Sequence, residues 1–100
     1  GFCSRPAMIT SSDLIAIGAL RAATDLGVSI PADMGLVSWD DSLIAEVASP
    51  SITALARRPF TMGRAAGDLV VRRVEGEAGP GETVQTAPAE LVSRASTARA

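Results

Sequence analysis

Acidic and small polar residues follow two short apolar runs of this sequence, and their types and positions suit ligand binding. The run Ala7–Ile9 leads into Thr10–Asp13, and the run Gly35–Val37 leads into Ser38–Ser42, where Trp39 stands beside an acid. Such runs, each followed by a helical pattern, are typical of buried parallel strands. Open parallel sheets bind ligands just beyond the carboxyl ends of their strands, where these acids fall. The alternative is that each acid caps the following helix, because Asp and Ser are favoured at helix starts.

The composition excludes the common catalytic chemistries. The chain has no His and a single Cys, Cys3, which therefore has no internal disulfide partner. Without His, a zinc or iron site and a His-activated nucleophile are both ruled out. Cys3 is interpreted as an incidental buried thiol. We therefore expect no enzyme, no catalytic residue, no metal and no cofactor.

The charge and hydropathy of the sequence argue against nucleic acid and membrane as direct partners of this segment. Nine basic residues, all Arg and all scattered, stand against eleven acidic residues, which gives a net charge of −2. This balance argues against the segment gripping a nucleic-acid backbone by itself. No apolar stretch approaches the roughly 18 residues that a membrane span needs. The chain opens on Gly1 without Met, so we expect it to be cut from something longer.

The elements that would position the polar residues alternate between strand and helix, which predicts an α/β fold with a parallel sheet and flanking helices. Gly27 and Gly76 stand where a helix is expected to end. The predicted strands are Ala7–Ile9, Gly35–Trp39 and Ile52–Ala56, and the predicted helices are Asp13–Leu26, Ser42–Ala48 and Pro59–Glu75. Thr83–Thr86 and Ala89–Val92 are predicted as closing strands, and Ser96–Ala100 as a frayed tail. Three strands leave much apolar surface uncovered, so we expect the end of a larger domain.

Most of the chain resembles LacI/GalR-type transcriptional regulators, in order and with matching spacing. The segments that carry the resemblance are 6–13, 16–22, 26–33, 36–41, 50–55, 62–66 and 91–97. The implied fold is the C-terminal part of a two-lobed, periplasmic-binding-protein-like (type I) sensor. The resemblance places residues 1–56 in the C-terminal lobe, 57–82 in a hinge and a long helix of the N-terminal lobe, and 83–100 in closing strands and the tail.

The resemblance also implies site residues. Ser12 and Asp40 match the family positions that face the effector, and Ser12 replaces the usual Asn. A carboxylate suits a polyol because it accepts two hydrogen bonds from neighbouring hydroxyls. Arg57 falls near a cleft-facing family position, with a solvated hinge residue as the alternative. Trp39 is either a stacking surface for a sugar or part of the packing of the lobe, and Asp41 and Asp13 are interpreted as helix caps.

The first helix is apolar around most of its circumference, so it needs two burial partners. One is its own sheet, and the resemblance implies that the other is a second copy of the protein. The predicted homodimer interface comprises Leu14, Ile17, Leu20, Arg21 and Ala48. The alternative is that missing parts of the same chain cover this helix.

The resemblance therefore implies the effector-binding and dimerisation segment of a cytoplasmic DNA-binding regulator that senses a small polar molecule, such as a sugar. Operator DNA would be bound only through a helix-turn-helix upstream of this segment. One alternative is the sugar-binding protein of a transport system, which shares the lobe architecture. A small flavodoxin-like or Rossmann enzyme is disfavoured, because no Gly-rich phosphate loop follows a strand.

Overall fold

A computed structural model describes residues 5–86 and 88–99, so the prediction for Cys3 lies outside the described residues. Four strands and three helices alternate along the chain, and a short 3-10 helix follows them. The strands are β1 (Ala7–Thr10), β2 (Gly35–Ser38), β3 (Thr53–Ala56) and β4 (Glu90–Val92). The helices are α1 (Asp13–Leu26), α2 (Leu43–Val47), α3 (Pro59–Val74) and the 3-10 helix Ala95–Thr97. No helix in the described part is long and apolar enough to cross a membrane.

The four strands form one sheet in the order β1-β2-β3-β4. The first three strands are parallel, as predicted, and β1 is in register with β2 from Ala7↔Gly35 to Thr10↔Ser38. The last strand runs antiparallel to β3, with Leu55 opposite Leu91. The sheet is therefore mixed, with the three predicted strands parallel and the predicted closing strand antiparallel at its edge.

Helix α1 begins and ends where its sequence predicts. The Ser12 side chain accepts a hydrogen bond from the Ile15 N–H, which satisfies one of the free donors at the helix start. At the other end, Gly27 adopts a left-handed conformation with φ of 73°, and its N–H bonds back to the last turn. This conformation favours Gly, because a side chain would strain it.

The core lies where α1 and α2 cover the sheet. Its fully buried members are small or branched apolar residues: Ala16, Leu36, Ala45, Ile52 and Ala54. Alanines on both helices let the helix backbones approach the strands closely, and burial of Leu36 and Ile52 contributes about 1.5–3 kcal/mol each. This core fixes the carboxyl ends of β1 and β2 beside the helix starts.

The chain divides into two compact units. One contains the sheet with α1 and α2, ends at Ala56 and resumes at Glu90. The other unit, Arg57–Ala89, contains α3 and a loop. Within it, Pro59 occupies the first turn of α3, no residue of the helix is buried, and Arg72 pairs with Glu82 at 3.0 Å.

Two predictions for the end of the chain were wrong. Thr83–Thr86 does not form a strand; a strand requires a hydrogen-bonding partner, and its own unit offers only a helix and loops. The tail is not frayed over the described part of Ser96–Ala100, because Ser96 is fully buried and its hydroxyl bonds the Leu36 carbonyl at 2.5 Å. The reason is that the Ser96 hydroxyl satisfies backbone groups of β2 and β3, which ties this part of the tail to the sheet.

Candidate functional site

The carboxyl ends of β1 and β2 lie side by side. Thr10 and Ser38 are register partners, and the Trp39 N–H donates to the Thr10 carbonyl at 2.9 Å. Both hydroxyl residues are buried, and Thr10 Oγ1 lies 3.1 Å from the Val37 carbonyl oxygen. The polar segments that follow the two strands are therefore neighbours, as expected for adjacent parallel strands.

A tight turn presents Asp40. Ser38 Oγ donates a hydrogen bond to the Asp40 carbonyl at 2.8 Å and accepts one from the Asp40 N–H at 3.2 Å. A hydroxyl that bonds the backbone two residues onward stabilises such a turn locally. The turn leaves Asp40 half-buried at the edge of the sheet, within the segment 39–42, here called the Asp40 loop.

Asp41 does not cap α2, which corrects that prediction. Ser42 is the N-cap, and its Oγ accepts from the Ile44 N–H at 3.2 Å. Asp41 instead pairs with Arg94, whose Nη1 lies 2.8 Å from Asp41 Oδ1. The same nitrogen donates to the Ile52 carbonyl at 2.9 Å, so one guanidinium joins the Asp40 loop to the start of β3.

Ser12, not Asp13, is the N-cap of α1, so the cap assignment for Asp13 is also corrected. Asp13 lies in the first turn, where Oδ1 accepts from the Leu14 N–H at 2.8 Å. Its other carboxylate oxygen accepts a short hydrogen bond from Ser42 Oγ, which joins the two strand ends. Ser12 is half-buried, and because its oxygen serves as an acceptor for the cap, its hydroxyl proton is available to donate to a ligand.

Trp39 and Arg57 differ in exposure and in the unit to which they belong. Trp39 is 45% exposed beside Asp40, so much of its indole is open to a ligand or another surface. Arg57 is half-buried, follows β3 directly and begins the second unit. The structure places the segments of Ser12, Trp39 and Asp40 at neighbouring strand ends, and the binding roles of these residues and of Arg57 stay predictions.

The residues predicted for a dimer interface divide into two groups. Leu14, Ile17 and Arg21 form one exposed stripe along α1, and Arg21 pairs with Asp25 of the same helix at 3.2 Å. Leu20 and Ala48 pack against the core of their own unit instead. One burial partner of α1 is therefore its own sheet, as predicted, while the stripe is the part that a second copy would cover.

Sequence reasoning missed Arg94, Ser38 and Thr10 as residues that shape the site. Ser38 and Thr10 were noticed only as parts of polar segments, because a single hydroxyl carries no signal for a buried turn. Arg94 lies far along the chain, and only the fold brings it to Asp41. Its one signal in the sequence was its place in segment 91–97, which carries part of the family resemblance.

The chemistry of the assembled site is that of polar recognition. A carboxylate, a donating hydroxyl and an indole suit a ligand with several hydroxyl groups. Within residues 5–86 and 88–99, no group of three or more His, Cys, Asp or Glu is arranged to hold a metal ion.

Comparison with known proteins identifies the family. The model of the periplasmic binding protein-like domain matches residues 2–97. The regulator MalR of Streptomyces coelicolor, a helix-turn-helix-type transcriptional regulator, is 36% identical over 94 residues, which are 94% of this chain and 27% of MalR. The chain thus spans about a quarter of the length of this curated relative.

Solved structures agree with the fold. A LacI family transcriptional regulator from Bifidobacterium animalis subsp. lactis superposes with a TM-score of 0.78 and 39% identity, over 94% of this chain and 34% of that one. The transcriptional regulator CelR, solved as a complex with cellobiose, superposes with a TM-score of 0.74 and 35% identity, over 90% of this chain and 27% of CelR. Because the family model covers nearly the whole sequence and these relatives are transcriptional regulators, the chain belongs to the periplasmic-binding-protein-like domain family and is of the LacI type.

Proposed function

We propose that this chain is the effector-binding and dimerisation segment of a LacI-type transcriptional regulator that senses a small polyhydroxylated molecule, such as a sugar. The effector would contact the polar ends of β1 and β2, where Asp40 accepts hydrogen bonds from hydroxyls and Ser12 donates one. Trp39 would cover an apolar face of the sugar, and Arg57 would contribute from the hinge.

The observation that carries this proposal is the adjacency of the two strand ends. The pairing of Thr10 with Ser38 brings the segments of Ser12 and Asp40 to one edge of the sheet, and the Ser38 turn holds Asp40 there. Parallel sheets bind ligands at this edge. The relative CelR, which was solved with cellobiose, supports a sugar as the ligand class.

The proposal includes the partners of the whole protein. A homodimer would form through the stripe on α1, and operator DNA would be bound by a helix-turn-helix outside this segment. Such a regulator acts on DNA in the cytoplasm and is not an enzyme. The comparisons do not favour the alternative of a transport-system binding protein, since the relatives named above are transcriptional regulators.

A sugar panel tests the ligand class. We expect full-length protein, titrated with cellobiose, maltose, glucose and galactose in a calorimeter, to bind at least one of them. Because Trp39 lies beside Asp40 and is the single Trp of these 100 residues, a fluorescence change that Trp39→Phe removes would report the same binding event. The absence of any heat or fluorescence change across the panel would contradict a sugar effector.

Asp40→Ala tests the site. The variant should weaken binding of the selected sugar by about 1.5–3 kcal/mol, the usual effect of losing a charged hydrogen-bond partner. Asp25→Ala, which removes an exposed carboxylate of α1, is the matched control and should leave affinity unchanged. Equal affinities for Asp40→Ala and the control would remove Asp40 from the site.

A further inference from the structure

Arg94 lies between β4 and the 3-10 helix, and its guanidinium reaches the Asp40 loop. Its Nη1 donates to Asp41 Oδ1 at 2.8 Å and to the Ile52 carbonyl at 2.9 Å. The two charged side chains are only 15% and 24% exposed. Solvent screens such a pair less than an exposed one, so it restrains the chain more strongly than a surface ion pair does.

The backbone of Arg94 is itself hydrogen-bonded to the sheet. Its N–H donates to Thr53 Oγ1 at 2.9 Å, and Thr53 is 1% exposed. Two residues further, the Ser96 hydroxyl accepts from the Thr53 N–H at 2.8 Å and bonds the Leu36 carbonyl at 2.5 Å. Arg94 therefore extends from a segment that is hydrogen-bonded to both β2 and β3.

The Asp40 loop is held from two sides. Arg94 holds Asp41, and Asp13 of α1 accepts the hydrogen bond from Ser42. Asp40 lies directly before these two anchored residues, and its backbone closes the turn with Ser38. Arg94 thus adds a charged side-chain restraint to the backbone contacts that hold the loop, which include the Ser38 turn and the bond from the Trp39 N–H to the Thr10 carbonyl.

We propose that Arg94 is a positioning residue for the effector site: it holds Asp41 against the start of β3 and thereby fixes the conformation of the loop that presents Asp40. The effect on binding rests on the proposed function. The effect on loop order is a property of the unliganded protein, so it is tested without any ligand.

Hydrogen exchange of the unliganded protein tests loop order. In Arg94→Gln, the amides of residues 39–42 should exchange roughly 10-fold faster or more, because a charged hydrogen bond that resists local opening is lost. The amides in the middle of α1 should keep their rates. Acrylamide should also quench Trp39 more strongly than in the wild type.

The matched control is Arg72→Gln, which removes the same charge from an Arg–Glu pair whose side chains are 44% and 33% exposed. This variant should leave exchange in the Asp40 loop unchanged. Unchanged loop exchange in folded Arg94→Gln would overturn the proposal. Equal acceleration throughout the sheet and α1 would also overturn it, because Arg94 would then serve only global stability.

A second variant covers the case in which Arg94→Gln does not fold. Asp41→Asn removes the acceptor charge and leaves the bond from Arg94 to the Ile52 carbonyl in place. It should also accelerate exchange of residues 39–42. Where both single variants fold, their effects in the double variant should be less than additive. Full additivity, or no acceleration in Asp41→Asn, would contradict coupling through this pair.

The binding test uses cellobiose, or the sugar of the panel that the wild type binds best. Arg94→Gln should raise its Kd by roughly 10-fold, and Arg94→Lys, which keeps the charge, should restore part of the affinity. If the Kd is unchanged while loop exchange is faster, the proposal that Arg94 positions the Asp40 loop for effector binding is overturned. If the wild type binds no sugar, the proposed function fails, and the exchange experiment alone decides the role of Arg94.

Discussion

Hydroxyl side chains provide the buried polar contacts of the sheet. The buried polar side chains among the described residues are Thr10, Ser38, Thr53 and Ser96. A hydroxyl is small enough to fit between strands and offers both a donor and acceptors, so it can satisfy backbone groups that the sheet leaves unpaired. At this scale, buried hydroxyls hold the strand ends in place, and Asp40 is the carboxylate that we propose contacts the ligand.

Ser96→Ala tests the buried hydroxyls. The substitution leaves the Thr53 N–H without its acceptor in a fully buried position, where an unsatisfied donor costs about 1–3 kcal/mol. We expect the free energy of unfolding, measured by urea denaturation, to fall by that amount. Ser93→Ala, at an exposed position of the same tail, should change it by less than about 0.5 kcal/mol. Equal stabilities of the two variants would contradict a structural role for Ser96.

At the scale of elements, the ends of α1 decide how the site is built. Ser12 begins the helix and is also a residue of the proposed ligand site, so in that proposal one residue serves the helix start and the site. Gly27 ends the helix in a left-handed conformation and turns the chain back toward β2. A cap and a turn thus set the direction of the helix and the position of its first polar residue.

Two glycines of this segment should respond oppositely to the same substitution. Gly27→Ala should destabilise the fold by about 1 kcal/mol or more, because a side chain is strained at φ of 73°. Gly18→Ala, in the middle of α1, meets no atom within 4 Å and should stabilise the helix by about 0.5–1 kcal/mol. Thermal unfolding of both variants measures the difference. A loss of stability in Gly18→Ala would indicate that another surface packs closely against this glycine.

At the scale of the whole molecule, the exposed apolar stripe of α1 bears on oligomeric state. Leu14 is 68% exposed and Ile17 is 36% exposed, on the same side of the helix as Arg21. Burying large apolar side chains contributes about 1.5–3 kcal/mol each, which favours association through this stripe.

The exposed stripe of α1 predicts a dimer that two introduced carboxylates should disrupt. The wild type should be a dimer by light scattering, and Leu14→Glu with Ile17→Glu should raise the dimer dissociation constant roughly 10-fold or more, because carboxylates would be buried in the interface. Leu26→Glu changes an exposed residue at the far end of α1 and is the control. A wild type that stays monomeric and unfolds cooperatively would contradict this interface.

The net charge predicts that the 100-residue segment alone binds no duplex DNA tightly. With a charge of −2 and scattered Arg, it cannot release many counterions from the phosphate backbone. Gel-shift experiments at low and moderate salt should show no complex at submicromolar protein. A salt-sensitive shift under those conditions would contradict the prediction.

The sequence by itself determined the elements whose signals are local. These are the bounds of α1, its Gly27 cap, the three parallel strands and the position of Asp40 after β2. They follow from residues that are near one another in the chain, because apolar runs and Gly act within a few residues. The family resemblance also depended only on the order and spacing of such segments, and the comparisons confirmed it.

Only the tertiary structure decided the contacts between distant segments. The sequence read Asp41 as a cap and Ser96 as part of a frayed tail, whereas Asp41 pairs with Arg94, 53 positions away, and Ser96 is buried against β2 and β3. Thr83–Thr86 has the composition of a strand but does not pair with another strand. Charged and hydroxyl groups satisfy their hydrogen bonds with whatever the fold places beside them, so their partners follow from packing and topology and not from local pattern.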